Sequence, residues 1–154
     1  MTAATQNLAD LYLEEETAWL DAMAERIQAG AIDELDFEHL REYLTDMAIR
    51  DRREVKSRLV VLLTHVLIWD FQSDHRSRSW MLSIIVQRQE LVDQTSKGVL
   101  RNHALAVLKD AYFDAALRAR IETGLDEHEF PKQCPYTLQD LLTFDPVLDQ
   151  DLNQ

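Results

Sequence analysis

Leu59-Val60-Val61-Leu62-Leu63-Thr64-His65-Val66-Leu67-Ile68-Trp69 is the most apolar run of this chain, and its reading decides the fold. Val55, Leu59, Leu62, Val66 and Trp69 recur at alternating steps of four and three, the coiled-coil-like helical period. Val60, Leu63 and Leu67 add a second face, and Val61 and Ile68 a third. A helix apolar nearly all round must be surrounded by others. The run therefore predicts a central helix over about 51–70 and an all-α protein. It is too short to span a membrane.

Working outward, the spacing predicts a first helix from Leu8 or Asp10 to Gln28, with Asn7 as N-cap and Trp19, Met23 and Ile27 on its apolar face. A second helix starts after the N-cap Asp36 and is expected to bury Phe37, Leu40, Tyr43, Leu44 and Met47. The cluster Arg50-Asp51-Arg52-Arg53-Glu54 reads as a break or a solvated turn of helix. Phe71 to His75 is a connection, and a fourth helix covers about 78–94 with Ser77 or Ser79 as N-cap. Thr95-Ser96-Lys97-Gly98 is a turn with a capping hydroxyl. A long fifth helix, about 98–123, ends at Gly124 and carries Ala104, Ala111, Ala115 and Ala119 on one stripe. A short last helix begins at Thr137. The architecture expected is one compact helical domain over residues 1–154, a bundle of about five main helices plus a short C-terminal one.

Composition agrees with this reading. The chain has 154 residues, 46% of them apolar, enough for a core, and only three Gly and three Pro to break helices. Its single Cys134 excludes an internal disulfide framework, and Met1 to Asn7 lacks the basic-then-apolar pattern of a signal peptide. A soluble, cytoplasmic protein is expected. The net charge is −12, which opposes non-specific nucleic-acid binding. That charge is uneven: residues 1–49 hold 12 acids and 2 bases, and residues 50–101 hold 10 bases and 6 acids.

The polar chemistry concentrates in Arg76-Ser77-Arg78-Ser79-Trp80 and, further along the same helix, Gln87-Arg88. Cations and hydroxyls at a helix start, where backbone N–H groups are free, could hold a phosphate or carboxylate. The same residues could instead cap the helix and pair with internal acids. Trp80, Ile84, Gln87 and Leu91 share a face, which turns Gln87 inward as a ligand contact or as a polar lock between helices. Arg58 is spaced to pair with Glu54, and His65 lies two turns further on. Glu122 falls on the alanine stripe near a helix C-terminus, where the dipole opposes a carboxylate. A cationic partner is expected for it, with Arg76, Arg78 or Arg88 as candidates.

Other chemistries lack their residues. None of the histidines at 39, 65, 75, 103 and 128 has a Glu three residues before it, and no His-Glu-x-x-His occurs. Glu42 and Asp46 form an i,i+4 carboxylate pair that reads as a solvated face. Cys134 reads as packing. No metal site, cofactor or catalytic residue is assigned.

Several segments in order resemble the bacterial family catalogued as domain of unknown function twenty-nine. They are Leu35-Asp36, Asp46-Met47, Ser57-Arg58-Leu59, Leu62-Leu63, His65, Trp69, Arg76-Ser77, Ser79-Trp80, Gln87-Arg88, Ala111-Tyr112, Glu122-Thr123-Gly124-Leu125, Phe130-Pro131 and Cys134-Pro135-Tyr136-Thr137-Leu138. The resemblance covers about residues 15–145. It implies a small helical protein and brings no activity, substrate or catalytic residue. Two departures are Ala48, where the family has Gly after Asp-Met, and Tyr136, where it often has Trp. The missing glycine implies a straighter passage into the central helix. The function expected is a non-enzymatic helical protein-interaction or regulatory module with a protein partner of unknown identity, with a homo-oligomer left open and no membrane association. The alternative is an anion- or nucleotide-binding protein, hydrolytic in one version, that uses Arg76, Ser77, Arg78, Arg88 and His65.

Overall fold

The structure, a computed structural model, describes residues 7–152, with side chains described from Asn7 to Asp149. The described residues form α1 (Leu8–Glu14), α2 (Glu16–Gln28), α3 (Phe37–Phe71), α4 (Arg78–Thr95), α5 (Gly98–Thr123), α6 (Leu138–Thr143) and α7 (Pro146–Leu152). Three single 3-10 turns lie between them, and no strand occurs among the described residues. The all-α class holds, with five helices making the body and short helices after them. By its contacts the chain divides into two compact units, Met1–Arg50 and Asp51–Gln154.

In the first unit the expected single helix is two. Glu15, at φ −149° and ψ 81°, breaks it. The break falls inside three successive glutamates, Glu14 to Glu16. In a straight helix Tyr12 and Trp19 would stand roughly 10 Å apart along the axis. The break folds α1 back, so that their rings meet edge to face with centroids 4.8 Å apart. Leu11, Trp19 and Met23 form the small buried core, with Tyr12, Leu40 and Tyr43 packed against it. Asn7 caps α1 through Ala9 N–H, as expected. Asp36 caps α3 by accepting from His39 N–H at 3.3 Å, and also accepts from His39 Nδ1 at 2.8 Å and Trp19 Nε1 at 3.3 Å. Phe37 and Leu44, expected to be buried, are exposed, because this unit covers only one side of the helix.

Of the two readings of Arg50–Glu54, a break or a solvated turn of helix, the second holds, and the two helices expected on either side are one: α3 runs unbroken from Phe37 to Phe71. Arginine and glutamate are good helix formers, and neither Gly nor Pro lies in the stretch, so a charge cluster there only marks a solvated face.

The second unit is built on the apolar half of α3. Val55, Leu59, Leu62, Leu63, Val66, Leu67, Ile68 and Trp69 are fully buried, which makes this half the central helix that the period predicts. Around it pack Ile84 and Leu91 of α4, Ala104, Ala111, Ala115 and Ala119 of α5, and Leu138 and Leu141 of α6. Ser77, of the two serines considered, is the N-cap of α4, accepting from Trp80 N–H at 3.1 Å. The capping hydroxyl expected between α4 and α5 is absent: Thr95 is buried and donates back to the Leu91 carbonyl, and Lys97 takes the cap position without a side-chain bond. Gly124 closes α5 in the left-handed region at φ +71°, donating to the Arg120 carbonyl at 2.8 Å. A Thr137–Asp140 capping box starts α6.

Candidate functional site

The polar residues around α4 fasten neighbouring segments of the second unit. Arg76 Nε donates to the Trp69 carbonyl at 2.9 Å, its guanidinium lies 4.9 Å from the centroid of the Trp69 ring, and its Nη2 is 3.7 Å from Asp149. Asp149 also accepts from Trp69 Nε1 at 2.6 Å. Arg88 Nη1 donates to the Phe144 carbonyl at 2.5 Å. These two arginines thus hold the connection into α7, at Phe144, and the first turn of α7, at Asp149. Arg78, in the first turn of α4, is exposed and has no ion pair among the described residues. Ser77 serves as the cap, and exposed Ser79 accepts at its carbonyl from Ser83. Arg76, Arg78 and Arg88 therefore go to separate places.

A second set joins α3 to α4. Arg58 donates from Nε to Glu54 at 3.0 Å and from Nη1 to Gln87 Oε1 at 3.3 Å, with Glu90 at 3.9 Å. Gln87 is half-buried, as the helical phase implies. Trp80 Nε1 donates to the His65 carbonyl at 3.0 Å, and its ring stacks on the His65 imidazole at 4.1 Å. His65 Nδ1 donates to the Val61 carbonyl at 2.7 Å. A carbonyl only accepts, so the neutral imidazole carries its proton on Nδ1 and leaves Nε2 as a lone-pair acceptor.

Glu122 departs from expectation. It is exposed in the last turn of α5 and pairs with none of Arg76, Arg78 and Arg88. It lines an open groove of about 420 Å³ with Val61, Thr64, His65, Arg118 and Ile121. Its phase matches the buried alanines, but at the end of the helix that stripe meets open space.

Sequence reasoning missed the apolar edge beside this groove. Phe113, Leu117 and Ile121 follow one another at four-residue steps on α5 and are 49%, 53% and 76% exposed. On the other side of the edge lies a pocket of about 330 Å³, lined by Tyr112, Phe113, Leu117, Arg120, Phe130 and Pro131. The signal was present: α5 carries one alanine stripe and one stripe of large residues. Close packing through alanine leaves the large stripe elsewhere.

The remaining titratable groups are structural in setting. Burial pushes the Cys134 thiol up, and its Sγ rests 3.2 Å from the Tyr136 carbonyl, so it stays a protonated packing group. Burial pushes Tyr112 up to about 12, and its hydroxyl donates to the Pro131 carbonyl. Burial raises Asp70, and the Tyr136 hydroxyl at 2.5 Å offsets part of that rise. No group of three or more His, Cys, Asp or Glu placed to hold a metal occurs among the described residues. No helix among them is long and apolar enough to cross a membrane.

The family model described as domain of unknown function DUF29 matches residues 11–145, and the chain belongs to that family. No curated protein and no solved structure matches it.

Proposed function

We propose that this member of the family is a non-enzymatic helical module that binds a protein partner through α5. The observation that carries the reading is the exposed edge Phe113, Leu117 and Ile121, set between a pocket and a groove. Large apolar side chains in a row on one helix, flanked by concave surface, suit the apolar face of a partner segment. The anion-binding alternative loses its main donors, because Arg76 and Arg88 are engaged with a carboxylate and a backbone carbonyl of the same unit. In the groove beside His65 the Thr64 hydroxyl donates to the Val60 carbonyl at 2.7 Å and not to the imidazole.

The test compares capture from the native host by the natural chain and by Leu117→Asp, followed by mass spectrometry. One partner retained by the former and lost by the latter is expected. Retention of no specific partner across several salt conditions, or equal retention by both, would overturn the proposal.

A further inference from the structure

We infer that the groove between α3 and α5 receives a cationic side chain, guanidinium or ammonium, from that protein partner, with Glu122 as counter-charge and His65 Nε2 as hydrogen-bond acceptor. The inference rests on the partner-binding reading and specifies the chemistry of the partner.

Two observations point to a cation. Glu122 stands in the last turn of α5, where unsatisfied carbonyls and the negative end of the helix dipole disfavour a carboxylate without a positive neighbour. Among the described residues no cation pairs with Glu122. Arg118 lines the same groove one turn away and does not come within ion-pair distance of Glu122. Next, His65 lines the groove, and the Val61 carbonyl takes the Nδ1 proton, which leaves Nε2 of the neutral ring as an acceptor. The imidazole rests on the Trp80 ring, whose own N–H is tied to the His65 carbonyl, so the imidazole is held in place.

The walls fit a long basic side chain. Val61 and Ile121 give apolar surface for a methylene stem while its head reaches Glu122 and His65. Ile121 also ends the exposed edge of α5. A partner helix that covers Phe113 and Leu117 would thus carry its basic residue at the end of its own apolar stripe. Arg118 is the intramolecular competitor, because its charge repels an incoming cation.

The experiment uses the full chain and a defined probe, N-acetyl-argininamide, with the neutral N-acetyl-citrullinamide and the anionic N-acetylglutamate as controls. Binding is followed by NMR at the His65 ring and the Ile121 methyl groups. Saturable shifts with the arginine probe alone are expected. Glu122→Gln should weaken them by about tenfold, the size of one charge-assisted hydrogen bond, and Arg118→Ala should strengthen them. Glu122 is exposed, so its replacement leaves the core intact. The inference fails if citrulline or glutamate binds as well as arginine, if Glu122→Gln changes nothing, or if no probe saturates. A failed probe titration with intact Leu117-dependent capture would remove the cation site and leave the partner surface standing.

Discussion

The α4 side of the second unit and the outer edge of α5 treat their side chains in opposite ways. On the α4 side polar groups are numerous, yet most have an internal partner: Arg58 has Glu54 and Gln87, Arg76 has Trp69 and Asp149, and Arg88 has Phe144. On the α5 edge Phe113, Leu117 and Ile121 stay about half or more exposed, and Glu122 has no ion pair among the described residues. A surface rich in charge thus reads as architecture, and a plainer one as the place where another molecule is wanted.

Four substitutions can break or sharpen this contrast. The largest effect belongs to Trp69→Ala, which empties a fully buried site and releases both Arg76 and Asp149. Urea unfolding should show a loss of about 3–5 kcal/mol. Arg88→Met keeps the stem but leaves the Phe144 carbonyl without its donor. A loss of about 1–3 kcal/mol follows from a carbonyl stranded in partly buried surroundings, with faster amide exchange in α6 and α7. If Arg88→Met costs nothing, the α4 side is not the fastening surface described.

A smaller effect lies in the first unit, where Asp36 caps α3. Burial alone would raise its carboxyl, but hydrogen bonds from the His39 side chain and backbone and from Trp19, with the His39 charge, carry it below the ordinary 3.8. A depressed folded value means that the stabilisation is complete above the unfolded value and is lost as pH falls through the folded one. Asp36→Ala should therefore cost about 1 kcal/mol at neutral pH, as helix caps do. That difference should shrink progressively below about pH 4. A difference that stays constant down to strong acid would dissociate the cap from its charge. The smallest effect is expected at Leu117→Ser. Stability should stay within about 0.5 kcal/mol, measured by thermal unfolding. A large loss there would mean that the α5 edge belongs to the fold, and the contrast would collapse.

What was legible in the sequence follows the range of the forces involved. The run Leu59–Trp69 announces the central helix, because burial on every side leaves an apolar residue at nearly every position. Gln87 reads as inward because helical phase is local. The continuity of α3 was hidden by Arg50–Glu54, whose charges look like a boundary although their backbone preference is helical. The break at Glu15 was hidden for the converse reason: no Gly or Pro marks it, and tertiary contact between Tyr12 and Trp19 accompanies it. The targets of Arg88 and Trp69 lie 56 and 80 residues away along the chain, at a backbone carbonyl and at one of many aspartates. No local pattern points to either. The exposure of Glu122 was likewise unreadable, since phase gives the face of a helix but not where its neighbours stop.

The three tryptophans give the molecule optical labels of its own. Trp19 is the single indole of the first unit, and Trp69 and Trp80 both belong to the second. Trp19 and Trp69 are fully buried, each with its N–H on an aspartate, and Trp80 lies against an imidazole. A chain keeping only Trp19 would report the melting of the small aromatic core. A chain keeping only Trp69 would report the core around the central helix. Emission from the two would coincide on heating if the polypeptide melts as one cooperative body, and would separate if the break in contacts at residue 50 is also a break in cooperativity.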